Sequence, residues 1–290
     1  MITHEVDKMD AIFLINKPEG MTSFDVCHRI KKSLHERSVG HTGTLDPNAT
    51  GLLIVLCGKY TKLLPYCDHD KKEYIASMKF GIKTDTLDIW GNTIDTKEVN
   101  KIDENDLKTL LKSFLGKQQQ IPPMYSAIKK NGKKLYELAR ENIEVAREAR
   151  DIEIYDIELL TYHEDEFSFR VVVSSGTYIR SLCEDIASKC DNYGCMTSLV
   201  RTKIQDLSLD KAISIDEVSE HIDDIKPYEV INNNYPMINV DDNMVNDIKN
   251  GKRININASD DIIILVNNDM VLAAYEKVSD SIYKCKRGLF

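Results

Sequence analysis

Gly40-His41-Thr42-Gly43-Thr44-Leu45-Asp46-Pro47-Asn48-Ala49-Thr50-Gly51, followed at once by Leu52-Leu53-Ile54-Val55-Leu56, is the stretch that decides how this 290-residue chain is read. Gly40, Gly43 and Gly51 permit tight turns and close backbone approach. Pro47 fixes its own φ and drives Asp46 towards an extended conformation, so the carboxylate is held rather than loose. The apolar run Leu52–Leu56 predicts a buried strand that hangs the loop on a rigid core. An Asp-Pro turn whose carboxylate bonds its own backbone is the plainer alternative. The length of the loop and its junction with a core strand count against it.

Working outward, Ala11–Ile15 reads as a strand ending in the turn Lys17-Pro18-Glu19-Gly20. Thr22 and Asp25 have the spacing of a capping box, and Val26, Cys27, Ile30 and Leu34 recur with helical period behind it. Tyr74, Ala76, Met78 and Phe80 alternate along a second strand, which sets Tyr74 on an apolar face where its hydroxyl needs a polar partner. Leu107, Leu110, Leu111 and Phe114 predict an amphipathic helix stopped at Gly116. Ile121-Pro122-Pro123 must be extended, and Asn131-Gly132 is a hairpin turn. Phe167, Phe169, Val171 and Val173 alternate as a strand, and the turn Ser174–Thr177 opens a helix with Arg180 in its first turn. The polar, turn-rich stretch Lys226–Pro236 divides the chain into 1–231 and 232–290. Beyond it, Ile262–Val266 and Met270–Tyr275 are strand candidates joined by Asn267-Asn268-Asp269, which suits a small β-barrel.

A hydrophobic content of 42% is ample for a packed core in one main domain with a small appendage. The opening MITHEVDKMD lacks a basic-then-apolar signal, and no apolar run approaches the roughly 18 residues that span a bilayer, so a cytoplasmic protein is expected. The seven cysteines are odd in number and scattered, with no CxxC pair, which suits reduced thiols. Cys183, Cys190 and Cys195 match no zinc-ligand spacing, so no metal is expected. The net charge of −9 hides a local excess of the opposite sign. Between Leu111 and Arg140 lie Lys112, Lys117, Lys129, Lys130, Lys133, Lys134 and Arg140 against Glu137 alone. Such a run is either a solvated face or a nucleic-acid contact. Gly51–Tyr60 fails the phosphate-loop pattern, because six residues separate its glycines and Tyr follows Gly-Lys. Neither GxSxG nor HExxH occurs.

The loop GHTGTLDPNATG closely resembles the catalytic loop of the pseudouridine synthases, specifically the bacterial tRNA pseudouridine synthase B (TruB) family. Five further segments resemble that family in family order: Ile15–Ser23 (INKPEGMTS), Lys71–Gly91 (KKEYIASMKFGIKTDTLDIWG), Ile121–Arg140 (IPPMYSAIKKNGKKLYELAR), Ser174–Ile186 (SSGTYIRSLCEDI) and Leu199–Ile204 (LVRTKI). The likeness spans about the first two thirds of the chain and continues more weakly through YPMINV and IKNGKRIN. It implies an α+β pseudouridine synthase fold, with a mixed, largely antiparallel central sheet flanked by helices, and a small C-terminal PUA-like β-barrel that binds RNA.

The resemblance also implies a reaction: isomerisation of the T-loop uridine, position 55 in tRNA numbering, to pseudouridine. It breaks a C–N glycosidic bond, turns the uracil and joins C5 to C1′ without net redox change, so no cofactor is required. By the same likeness Asp46 is the essential aspartate, acting as a nucleophile at C1′ or promoting elimination through a glycal-like intermediate. Arg180 pairs with it and keeps it ionised, while Tyr74 stacks on the uracil and is the candidate base for the C5 proton. The uridine must leave its stack first. His41 then organises the vacated space, Tyr178 and Leu199 line the uracil pocket, and Lys17, Lys129, Lys130, Lys133 and Lys134 belong to the substrate contacts, the last four on phosphates of the T-arm. The partner is tRNA, with no membrane or protein partner implied, and the chain is expected to act as a monomer. Two rival readings share the motifs: an RNA-binding or RNA-folding module without chemistry, and a guide-RNA-directed relative. An acceptor anion such as Asp46 has no purpose in a pure binder, although RNA folding and catalysis can coexist. The set of bacterial segments and the lack of long basic tails count against the guide-directed reading.

Overall fold

The computed structural model describes residues 9–67, 71–141, 143–222 and 224–290. It forms two compact units, one joining Met1–His69 to Gln205–Phe290 and the other spanning Asp70–Ile204. The opening segment read for a targeting signal lies largely outside the described residues.

In the first unit, β1 (Ile12–Lys17) carries an apolar run that stays buried along nearly its whole length. After the turn comes α1 (Ser23–Ser33), whose capping box forms as predicted: the Asp25 amide donates to the Thr22 hydroxyl (3.0 Å), and the Thr22 amide donates to the Asp25 carboxylate (2.9 Å). The bond from the Thr22 hydroxyl holds the Asp25 carboxyl below the usual carboxylate range. The short strand β2 (Val39–His41) and β3 (Thr50–Cys57) pair antiparallel, and β3 also pairs antiparallel with β1, bringing Lys17 opposite Gly51. Phe13 and Ile15 of β1, Val26 and Ile30 of α1, and Leu53 and Val55 of β3 share one core with Ile215 and Val218. The return segment is stitched to β1 by the Asn16 amide on the Ile213 carbonyl and the Ile213 amide on the Leu14 carbonyl, both 2.9 Å. Gly51–Tyr60, the stretch that fails as a phosphate loop, is β3 up to Cys57 and then enters the 3-10 helix Gly58–Tyr66.

The second unit begins with β4 (Lys71–Phe80), a short hairpin of β5 (Ile82–Thr84) and β6 (Thr93–Thr96), then α2 (Glu104–Lys112) and β7 (Gly116–Gln120). It continues through the hairpin β8 (Lys129–Lys130) and β9 (Lys133–Lys134), α3 (Leu135–Arg140), β10 (Arg150–His163), β11 (Glu166–Ser174), α4 (Ile179–Lys189) and β12 (Gly194–Ile204). Its sheet runs in the order β12, β4, β11, β10, β7 with antiparallel neighbours. Alternation behaves as read: Tyr74, Ala76, Met78 and Phe80 face inward on β4, as do Phe167, Phe169, Val171 and Val173 on β11. Helix α4 packs on β12 and β4, and α2 packs on β10 and α4. Helix α2 ends before the expected stop: Ser113 caps it, and Gly116, at φ +94°, instead starts β7. On the outer face Arg170 bridges Glu73 (3.2 Å), Asp156 and Glu158 (3.4 Å) across three strands.

The chain closes, back in the first unit, with β13 (Leu207–Ser208), β14 (Met237–Asn239), α5 (Asp242–Lys249), β15 (Ile254–Asn255), β16 (Ile262–Asn267), β17 (Met270–Ser279) and β18 (Ile282–Gly288). The last five strands form a sheet in the order β14, β16, β17, β18, β15, with β14 parallel to β16 and the remaining pairs antiparallel. The turn between β16 and β17 holds Asn268 and Asp269 at φ +47° and +62°, the paired left-handed residues of a tight hairpin. This sheet has its own core of Val240, Ile248, Ile263, Leu265, Tyr275 and Tyr283, and the buried Tyr275 hydroxyl donates to the Lys252 carbonyl (3.1 Å). Among the described residues no helix is long and apolar enough to cross a membrane.

Candidate active-site residues

The Asp46 loop is clamped on both sides by the segment Lys17–Ser23. On the N-terminal side the buried Ser23 hydroxyl accepts from the Leu45 amide (2.9 Å) and donates to the Leu45 carbonyl (3.2 Å). On the C-terminal side the Pro47 carbonyl accepts from the Gly20 amide (3.0 Å) and from Lys17 Nζ (2.9 Å). The Ala49 amide closes a turn onto the Asp46 carbonyl (3.1 Å). Asp46 therefore sits, half-buried, between two anchored neighbours, and the motifs INKPEGMTS and GHTGTLDPNATG form one structural device. His41 ends β2 opposite Val55 and is half-buried.

Lys17 departs from its expected place among the substrate contacts. It is fully buried, and its ammonium donates to the carbonyls of Pro18 (2.8 Å), Met21 (2.5 Å) and Pro47 (2.9 Å). A buried cation needs such a cage, and the cage here is the backbone that shapes the loop.

In the second unit the start of α4 is the organising point. Gln120 and Tyr178 exchange bonds: the Tyr178 amide donates to Gln120 Oε1 (2.8 Å), and Gln120 Nε2 donates to the Tyr178 carbonyl (3.1 Å). Tyr178 is the N-cap residue of α4, and its side chain makes no cap bond, so Gln120 substitutes for the missing cap. One turn on, the Ser181 hydroxyl donates to the Ile121 carbonyl (3.3 Å). Arg180, 4% exposed, sends Nη1 to the Thr86 carbonyl (2.9 Å) and Nη2 to the Tyr125 carbonyl (2.8 Å), and its Nε lies 3.9 Å from Asp88 Oδ2. One planar guanidinium thus joins the segments TDTLDIWG and IPPMYSA to helix α4, a task suited to its fixed fork of donors. Tyr74, 7% exposed, lies on β4 between Val171 of β11 and Arg201 of β12, and Leu199 is buried on β12 opposite Ala76. Arg201 is itself buried.

The hairpin of lysines turns at Asn131 and Gly132, φ +52° and +85°, as the sequence predicts. Its four cations are not equivalent. Lys130 donates to the Ala146 carbonyl, Lys133 bridges Glu141 (3.3 Å), and Lys134 donates to the Tyr136 hydroxyl (3.2 Å). Lys129 is exposed and makes no such bond among the described residues. No periodicity in the sequence marks Gln120 or Ser23, whose partners lie 58 and 22 residues away, or the approach of Arg180 to Asp88 across 92 residues.

Comparison with known proteins agrees with this arrangement of motifs. The family profile described as TruB family pseudouridylate synthase (N terminal domain) matches residues 31–179. Proteins named tRNA pseudouridine synthase B are similar over most of the chain. That of Alkaliphilus oremlandii is 45% identical over 219 residues, 75% of this chain and 73% of the relative. That of Clostridium tetani is 42% identical, covering 85% and 86%, and that of Bacillus subtilis 39% identical, covering 92% and 93%. Among solved structures, an H/ACA RNP bound to a substrate RNA containing 2′-deoxyuridine superposes with a TM-score of 0.70 at 21% identity, covering 97% of this chain and 85% of that one. A Cbf5-Nop10-Gar1 complex gives a TM-score of 0.70 at 23% identity with the same coverage. These two likenesses concern the fold, which is the α+β pseudouridine synthase fold with a curled C-terminal sheet. By profile, by identity across most of its length and by fold, this chain belongs to the TruB family of pseudouridylate synthases.

Proposed function

We propose that the chain is a tRNA pseudouridine synthase that converts the T-loop uridine at position 55 to pseudouridine. The observation that carries the reading is the double clamp on the Asp46 loop, which holds one carboxylate between Ser23-bound Leu45 and Lys17-bound Pro47. Such anchoring is what a reaction at one carbon atom needs, since misplacing a reacting group by about 1 Å can cost on the order of 100-fold in rate.

The reaction balances within the substrate. The C1′–N1 bond breaks, the uracil rotates, the C1′–C5 bond forms, and the proton lost from C5 is matched by one gained at N1. Asp46 acts at the sugar, as nucleophile at C1′ or as the group that promotes the glycal route. Tyr74 and Arg180 are retained as reaction residues, Tyr74 against the uracil and at the C5 proton. Arg180 has a second task inside its own unit, positioning the segments that carry Thr86, Asp88 and Tyr125. His41, Tyr178 and Leu199 serve the flipped nucleotide. Lys129, exposed at the base of the basic hairpin opposite Lys134, is the first candidate for a phosphate contact, with Lys130, Lys133 and Lys134 beside it. Residues 232–290 are proposed as a PUA-like module that grips RNA away from the reacting base, and the chain is proposed to work as a monomer in the cytoplasm.

The test is pseudouridine mapping in a T-arm stem-loop transcript incubated with the purified protein alone. Wild type is expected to modify the T-loop uridine, and Asp46→Asn to bind the RNA without turnover. Turnover by Asp46→Asn, or a folded wild type that binds the transcript and leaves it unmodified, would overturn the assignment.

A further inference from the structure

Trp90 is the chain's single tryptophan, and it is 44% exposed. Tryptophan is highly buried on average, so an indole left in solvent calls for a cause. Looseness of the loop is not that cause. The neck is closed by the Asn92 amide and Nδ2 on the two Asp85 carboxylate oxygens (2.8 and 3.0 Å). Inside the loop, Thr84 Oγ1 donates to the Asp88 carbonyl (2.7 Å) and Thr86 Oγ1 to Asp88 Oδ1 (2.6 Å), the oxygen that also accepts from the amide of Trp90 (3.2 Å).

Leu87 occupies the left-handed region at φ +65°, where a bulky side chain persists only if its surroundings hold it. The holding bonds come from β12: the Met196 amide donates to the Leu87 carbonyl (3.0 Å), and the Ile89 amide donates to the Met196 carbonyl (2.9 Å). At position 91 a Cβ would fall 2.1 Å from Thr86 Oγ1, so the turn beneath the indole admits only glycine. Arg180 fixes the loop from below through the Thr86 carbonyl. The loop that carries the ring is therefore a rigid mount, and a ligand meeting the indole has no loop to order. The same guanidinium holds Tyr125, four residues ahead of the lysine hairpin, so the aromatic loop and the basic element share an anchor.

We infer that Trp90 is a stacking platform for an unpaired nucleobase of the RNA substrate. This rests on the function proposed above. A flat indole on a fixed loop that shares an anchor with a hairpin of lysines matches how proteins take hold of unstacked bases: phosphate attraction gives affinity, and the aromatic face takes a base whatever its identity.

The experiment titrates the intact protein with a T-arm stem-loop transcript and follows emission of its only indole, with acrylamide accessibility read alongside. Filter binding and pseudouridine formation are measured on the same samples. RNA is expected to quench the emission and shield the ring from acrylamide. Trp90→Ala should weaken binding by about tenfold or more, in keeping with alanine substitution of base-stacking aromatics. Trp90→Phe should keep most of the affinity, and Trp90→Leu, with bulk but no π face, should fall with alanine. If alanine compromises folding, the wild-type emission and the Phe/Leu pair still decide. RNA that binds and is modified while the indole stays accessible, or a leucine variant that binds like phenylalanine, overturns the inference and leaves the proposed function standing. Emission that changes with protein concentration but not with RNA also overturns it, marking a protein-binding face. A transcript that neither binds nor reacts removes the functional reading and this one with it.

Discussion

Replacing Lys17 by Met tests whether the loop frame governs catalysis. Methionine keeps an unbranched stem of similar length, so the change isolates the ammonium. That ammonium is fully buried and bonded to three carbonyls at 2.5 to 2.9 Å. A hydrogen bond from a charged donor contributes about 1.5–3 kcal/mol, so three amount to about 4.5–9 kcal/mol. The desolvation that a buried ammonium suffers, several kcal/mol, disappears with it. The net loss is then about 2–4 kcal/mol, a large share of the ~5–15 kcal/mol typical of a whole domain. The Pro47 carbonyl keeps its bond from the Gly20 amide, so the loop should loosen without being lost. Urea unfolding is expected to show a lower midpoint with unchanged slope. Single-turnover modification at saturating enzyme should slow on the order of 100-fold, the cost of displacing Asp46 by about 1 Å. An unchanged midpoint together with a rate within about twofold of wild type would refute the frame argument.

Arg180→Lys should lower both the melting temperature and the single-turnover rate, because one ammonium cannot serve the Thr86 and Tyr125 carbonyls and face Asp88 together; a variant with wild-type rate would remove Arg180 from the site. Changing Lys129, Lys130, Lys133 and Lys134 together to Gln should weaken RNA binding and flatten its salt dependence. Lys129→Gln alone should account for more of that loss than Lys133→Gln, whose cation is already engaged by Glu141; equal effects would show that the internal contacts give way on binding. For the thiols, burial pushes Cys27 and Cys195 up to about 11 and Cys57 and Cys67 up to about 12, and raises Cys183 further. Burial raises Cys190, to about 11, and Cys285 as well, so access rather than thiolate content separates the seven: a disulfide-exchange reagent should label the half-buried Cys190 and Cys285, slowly at pH 8, before the five buried thiols, and fast labelling of a buried cysteine in the native protein would contradict the packing.

What the sequence made legible was local. The Thr22/Asp25 capping box, the alternation on β4 and β11, the Asn131-Gly132 turn and the placement of Arg180 in the first turn of α4 depend on residues a few positions apart, and each is present. The likeness sets Lys17 among the substrate contacts, whereas its ammonium is buried: the Pro18 and Met21 carbonyls are its chain neighbours, and the Pro47 carbonyl, 30 residues on, completes the cage only in the folded unit. Asp88 lies within TDTLDIWG, where its bonds to Thr86 and Trp90 are local, but its approach to Arg180 spans 92 residues and has no local mark. Gln120 offered no signal except its position just before Ile121-Pro122-Pro123; its work as a surrogate cap depends on long-range placement. The early end of α2 at Lys112 shows the limit of glycine as punctuation, because Gly116 serves the strand that follows.

The stitching of β1 to Ile213 has a consequence for how the polypeptide is made. The core around Phe13, Ile15 and Val55 is completed by Ile215 and Val218, and the edge of β1 is closed by backbone bonds to Ile213. A ribosome adds roughly 5–20 residues per second, so the gap of about 150 residues between Cys57 and Ile213 lasts on the order of ten seconds. During that interval the apolar strands β1 and β3 are outside the exit tunnel without the segment that seals them, while Asp70–Ile204 is contiguous and can fold as it emerges. The segment bearing Asp46 is thus synthesised early and finished late. A ribosome stalled between residues 70 and 204 is therefore expected to present the Asp46 loop unsealed, as a holdase client.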